Sequence, residues 1–135
     1  MVETPQQGRL HHVPADSLSD DTAQTPSMRR LQAVSGKTVG SRDLWMGQTH
    51  LAPDTRSADH HHGATETAIY VVSGHPRFVF LENGAEMAID TAPGDYVFVP
   101  PWVPHREENP SPDTEAVVVI ARSSQEAVVV NLPSL

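Results

Sequence analysis

The run His60-His61-His62-Gly63-Ala64-Thr65-Glu66, leading straight into Thr67-Ala68-Ile69-Tyr70-Val71-Val72-Ser73-Gly74, decides how the rest of the chain is read. The second half is β-branched and aromatic and ends in glycine, which reads as a buried strand. The first half carries chemistry. On an extended chain successive side chains point to opposite faces, so His60 and His62 share a face and His61 points away. A bend after Gly63 brings Glu66 back toward that face. Two imidazoles and a carboxylate on one side form a candidate metal-binding set, because imidazole is the commonest biological metal ligand. The competing reading is a histidine run on an exposed loop.

Outward from this stretch the pattern stays short and extended. Met28–Ser35, Asp43–Leu51, Ala58–His62, Thr67–Ser73, Arg77–Leu81, Ala85–Asp90, Asp95–Val99, His105–Asn109, Thr114–Arg122 and Ala127–Leu132 all read as strands. Turn signals such as Ala52-Pro53-Asp54, Gly74-His75-Pro76, Glu82-Asn83-Gly84 and Ala92-Pro93-Gly94 separate them. Twelve prolines in 135 residues stop helices, and no stretch keeps a helical period. About ten closely spaced strands predict an all-β sandwich or closed barrel. The length predicts one domain. Residues 1–27 are polar, with Pro5, Pro14, Pro26 and an acidic cluster at Asp16, Asp20 and Asp21. They predict an irregular N-terminal arm, with a helical turn near Asp16–Asp21, ahead of a barrel over 28–135. His11, His12 and His75 read as solvated.

Charge and composition exclude several functions. The net charge is −8, with nine Lys+Arg against seventeen Asp+Glu. Neither nucleic acid nor an anionic membrane surface is an expected partner, since both need a basic face. The longest apolar runs, Ala68–Val72 and Ala116–Ala121, are too short to cross a bilayer. With no basic and apolar leader at the N-terminus, a soluble cytoplasmic protein is expected. There is no cysteine, so disulfides, thiolate catalysis and zinc fingers are out, and any metal must be held by histidine and carboxylate.

A second constellation completes the first. Gly94, Pro100, His105 and Asn109 follow one another at intervals of six, five and four. Taken with His60, His62, Glu66 and Gly74, they resemble the paired motifs of the cupin superfamily, Gly-x5-His-x-His-x3–4-Glu-x6-Gly and Gly-x5-Pro-x-Gly-x2-His-x3-Asn. Two positions depart. Asp54 stands at the opening glycine of the first motif, and Trp102 at the inner glycine of the second. The resemblance spans Asp54 to Asn109. It implies a single jelly-roll β-barrel with a metal inside, held by His60, His62, Glu66 and His105, with one or two coordination positions open. Glu66 is one residue out of step when counted back from Gly74, which favours Thr67. The alternative is a rim carboxylate and a three-histidine site. The donor set suits Fe(II), Mn(II), Ni(II) or Zn(II).

Strand alternation adds further candidates. If His105 faces inward, so do Glu107 and Asn109. Glu107 is then a catalytic candidate, as general base or additional ligand, or else a structural carboxylate. Gln48 and His50 share a face of their strand, and with Tyr70, Tyr96 and Trp102 they are candidate substrate-binding walls; rim or core packing is the alternative for each. Arg77 and Arg122 are candidate anchors for a substrate carboxylate. The expected function is a divalent-metal enzyme acting on a small polar metabolite, by oxygenase or isomerase/lyase chemistry. A non-catalytic metal- or ligand-binding or sensor module is the alternative. The resemblance also implies a homodimer, with the arm or the Met28–Ser35 strand at the contact.

Overall fold

Alternation along the chain builds the barrel wall. In the computed structural model, which describes residues 8–135, Ile69 and Val71 are buried while Ala68, Tyr70 and Val72 face out. The same in-and-out pattern runs along Trp45–Leu51, where Trp45, Gly47, Thr49 and Leu51 are buried. Inward apolar side chains from several strands meet in one core of Met28, Leu51, Ile69, Val71, Phe78, Val99, Ala116 and Val118.

Among the described residues there are eleven strands: β1 (Met28–Val34), β2 (Trp45–Leu51), β3 (Thr55–Arg56), β4 (His60–His61), β5 (Thr67–Ser73), β6 (Arg77–Glu82), β7 (Ala85–Asp90), β8 (Tyr96–Val99), β9 (His105–Asn109), β10 (Ala116–Arg122) and β11 (Val130–Asn131). They form two antiparallel sheets, β1-β2-β10-β5-β8 and β11-β4-β9-β6-β7, with β3 paired to β9. This is the expected all-β fold. Two local features depart from the expectation. Thr55–Arg56 pairs with Asn109 and Glu108 directly after the proline turn. Gly36–Val39 makes one helical turn, closed by a capping box between Ser35 and Thr38 and ended by Gly40 at φ +72°.

Asn109 ties strands to loops. It is 1% exposed, and its amide donates to the carbonyls of Leu51, Ala52 and Thr114 while its oxygen accepts from Ser111 N–H. Gly74 turns out of β5 at φ +80°, and a Cβ there would stand 2.8 Å from Ala116 Cα.

The arm expected over 1–27 begins outside the described residues. From residue 8 it is irregular apart from a 3-10 turn at Ala15–Ser17, and it covers the free edge of β1. Ser19 exchanges two backbone hydrogen bonds with Gln32, and Met28 N–H donates to Thr25 O. The Gln24 amide bonds both Arg30 N–H and Arg30 O, at 2.8 Å each. The edge N–H and C=O groups of Arg30 and Gln32, and the N–H of Met28, are therefore satisfied within the chain.

Candidate metal centre

His60 and His105 are direct register partners across β4 and β9, so strand pairing alone sets two imidazoles side by side. Alternation brings His62 to the same side, and Gly63 at φ +57° turns the chain there; a Cβ on Gly63 would press on Val128 Cγ1 at 3.2 Å. The three rings lie 4.5–5.0 Å apart between centroids. Glu107, two residues along β9, faces inward with His105, as alternation requires. One donor atom from each of His60, His62, His105 and Glu107 falls within 4.8 Å of all the others.

The orientation of each ring is fixed from behind. His60 Nδ1 bonds the Ala58 carbonyl at 2.7 Å, His62 Nδ1 the Val128 carbonyl at 2.8 Å, and His105 Nδ1 the Val103 carbonyl at 3.0 Å. A carbonyl can only accept, so each Nδ1 carries a proton, and in the neutral ring it is Nε2 that presents a lone pair. His105 Nε2 is buried and has no hydrogen-bond partner among the described residues. It stands 3.6 Å from Glu107 Oε1, beyond hydrogen-bonding distance. Three converging lone pairs and a carboxylate, with one buried atom orphaned, fit a bound cation. Donors bonded to one ion at about 2.1 Å stand at most about 4.2 Å apart, so side-chain shifts of a few tenths of an ångström would close the cluster.

Electrostatics agree. Burial pushes the His60 and His62 imidazoles below their ordinary value, which keeps them neutral as ligands must be. At His105 burial also works against the charge, but Glu107 outweighs it and raises the imidazole. Burial works against the Glu107 charge too, yet the three histidines hold its carboxyl down at about 2.

The structure separates the expected residues sharply. His60, His62, His105 and Glu107 come together. Glu66 does not: it is exposed, between the inward-facing Thr65 and Thr67, and its backbone is fixed by Ser123. Both spacing counts bring a threonine or a turned-away carboxylate to the first motif, and the neighbouring carboxylate comes from β9. His61 points away, accepting from Gly63 N–H and packing against Trp102.

None of the five expected substrate walls lines the cavity beside the cluster. Tyr70, at 36% exposed, stacks on Tyr96, at 78%, on the outer face of the β1-β2-β10-β5-β8 sheet. Gln48 and His50 lie in the outward phase of β2, where His50 meets Glu115 at 3.1 Å. Trp102, at φ +67°, is 64% exposed. Gln48 and His50 do share a face, as alternation along β2 predicts, but that face is the outer one. Arg77 is taken by Asp90 and Glu108. The cavity itself, of about 370 Å³, is lined by His60, His62, Glu107, Thr67, Arg30 and Arg122, among others. Arg30 was not singled out, because nothing local marks the inward phase of an edge strand.

The cupin domain family matches residues 47–121, more than half of the chain, and takes in both halves of the cluster. The chain is a cupin. No curated protein matches it in sequence. Among solved structures, this cupin is similar to the oxalate decarboxylase of Bacillus subtilis, at 22% identity and a TM-score of 0.69, over 83% of this chain and 30% of that one. It is similar to the oxalate decarboxylase of Lactobacillus farciminis, in a formate complex, at 16% identity and 0.70, over 87% and 34%. Peruvianin-I, a cysteine peptidase from Thevetia peruviana latex, matches at 12% identity and 0.71, over 98% and 85%. The chain spans about a third of the length of the oxalate decarboxylases. At these identities the likeness is one of fold, and a chain without cysteine shares no thiol chemistry with a cysteine peptidase.

Proposed function

We propose that this cupin is a metal-dependent enzyme acting on a small polar metabolite, with His60, His62, His105 and Glu107 as the ligand set. The observation that carries the reading is the convergence of three carbonyl-oriented imidazoles and one ionised carboxylate within 4.8 Å, at the wall of a cavity of about 370 Å³. A divalent ion bound there supplies Lewis-acid polarisation or redox chemistry. The chain supplies the rest. The carbonyls of Ala58, Val128 and Val103 hold the three rings in one tautomer. Thr65, Thr67 and Ile120 form part of the cavity wall. Among Fe(II), Mn(II), Ni(II) and Zn(II), Mn(II) is the first to test, because the Bacillus subtilis structural relative has Mn(II) centres. The barrel hosts many reactions, so oxygenase and isomerase/lyase chemistry both stand as readings of the site.

The test compares chelator-stripped protein with protein reloaded with each ion, on mixtures of small metabolites followed by mass spectrometry. The expected result is a compound consumed only by a reloaded form. Metal that binds tightly with no compound consumed by any form would favour a binding module instead.

We further propose a homodimer that pairs the outer faces of the β1-β2-β10-β5-β8 sheet. Tyr70, Val72, Tyr96 and Phe98 are exposed there, and Met46 extends the apolar surface across β2. The β1 edge is not a candidate contact by strand pairing, since the arm already occupies it.

A further inference from the structure

The chain has nine Lys+Arg against seventeen Asp+Glu, so most cations should find a carboxylate. Four do: Lys37 meets Asp21, Arg42 meets Asp43, Arg77 meets Asp90 and Glu108, and Arg106 meets Asp59, Glu86 and Glu108. Of the five that have no carboxylate among the described residues, Arg9, Arg29 and Arg56 are exposed. The remaining two, Arg30 and Arg122, are partly buried, and both line the same cavity as His60, His62 and Glu107. Two half-buried cations that have no carboxylate among the described residues and line one cavity leave a place there for an anion.

Both guanidinium groups are held in place and keep free donors. Arg30 Nη1 donates to Thr25 Oγ1 at 2.7 Å, and its backbone is clamped by the Gln24 amide. Arg122 lies 4.0 Å over the Trp45 ring, with Nε donating to Ser124 O and Nη2 to Gln125 O. Of five N–H donors on each group, Arg30 uses one and Arg122 two in these bonds. The two charges also act on one another: burial first, and then Arg30, lowers the Arg122 guanidinium to about 10. A planar fork with spare parallel donors suits a carboxylate. Glu107, the one carboxylate lining the cavity among the described residues, stands beside the histidines.

We propose that the ligand of this cavity is a small organic acid whose carboxylate is held by Arg30, with Arg122 completing a positive wall and the rest of the molecule lying toward His60, His62 and Glu107. This rests on the reading of the cavity as the substrate site of the proposed metalloenzyme.

The test is calorimetric titration of the full chain, both chelator-stripped and Mn(II)-loaded. The probes are malonate and succinate, against the uncharged malonamide and succinamide. At least one diacid is expected to bind the metal-free protein, with its diamide weaker by roughly tenfold or more. Arg30→Gln is expected to weaken that diacid by a similar factor while leaving Mn(II) stoichiometry unchanged, and Arg30→Lys to weaken it less. The acid-to-amide comparison uses the wild-type chain, so it stands if Arg30→Gln does not fold. Equal binding of acid and amide overturns the proposal, as does no binding of either acid. Acid binding that needs Mn(II) and ignores Arg30→Gln also overturns it, while sparing the metal reading. Failure to bind Mn(II), with Arg30-dependent acid binding intact, sinks the metal reading and upholds this one.

Discussion

His105 Nε2 lies 3.6 Å from Glu107 Oε1, two residues along one strand, with both side chains turned into the barrel. The pair shares a proton economy: Glu107 holds the imidazole above its ordinary 6.5, and the histidines hold Glu107 at about 2. A cation entering the cluster must displace the His105 proton. Glu107 helps hold that proton on, so binding of Mn(II) is expected to release protons, more of them as the pH is lowered. Calorimetry in buffers of different ionisation enthalpy measures this directly. Binding without proton release would contradict the pairing.

The same pair sets a pH window for stability. Glu107 has a folded value below its unfolded one, so its contribution is present above 4.5 and is lost as pH falls toward about 2. His105 has a folded value above its unfolded one, so its contribution is present below 6.5 and is lost as pH rises through the folded value. The stability difference between metal-free wild type and Glu107→Gln, from urea midpoints, is expected to peak between pH 4.5 and 6.5 and to fall on both sides. A difference that does not vary with pH would show that the two groups do not interact.

Arg106 binds the outer face of the second sheet together. Its side chain, 11% exposed, reaches Glu108 at 2.7 Å, Glu86 at 2.9 Å and Asp59 at 3.4 Å, bridging β9 to β7 across β6. Arg106→Met leaves three carboxylates without this partner. Because Glu86 is more than half exposed, the expected cost is roughly 1–2 kcal/mol, below that of breaking a fully buried pair. Chemical denaturation checks it, and metal content should not change, since Arg106 faces away from the cluster. Unchanged stability would make the network ornamental.

The outer apolar face makes a prediction about assembly. Tyr96 is 78% exposed and stacks only on Tyr70, so Tyr96→Asp should leave the fold and its thermal midpoint intact. Sedimentation at micromolar concentration is expected to show a wild-type dimer and a monomeric Tyr96→Asp. A monomeric wild type, or a variant that still dimerises, would overturn the proposed interface.

Much of the fold was legible because alternation and turn chemistry are local. Ile69, Val71 and Thr67 announce an inward phase, and Gly74 and Gly94 end their segments. His60, His62, His105 and Glu107 were legible for the same reason, since a period of two fixes which of them share a face. What alternation cannot give is which face is the inside. Tyr70 and Tyr96 look like core residues yet cover the outer sheet, while Arg30 looks like a surface residue yet faces the cavity. Glu66 failed differently. The bend at Gly63 hands the inward phase to Thr65 and Thr67, and the pairing of β4 with β9 brings Glu107, rather than Glu66, beside the histidines. The contribution of Val128 O to His62 is a contact between residues 66 apart, and no local signal announces it.

The central claim is that the carboxylate of the metal centre is Glu107. The most direct measurement is the Mn(II) affinity of Glu107→Gln beside that of Glu66→Gln, by titration of chelator-stripped protein, with His61→Ala as the neighbouring control. The account predicts that Glu107→Gln loses affinity by about a hundredfold, near 2.7 kcal/mol, while Glu66→Gln and His61→Ala bind as the wild type does. Loss of metal in Glu66→Gln with full binding in Glu107→Gln would contradict it.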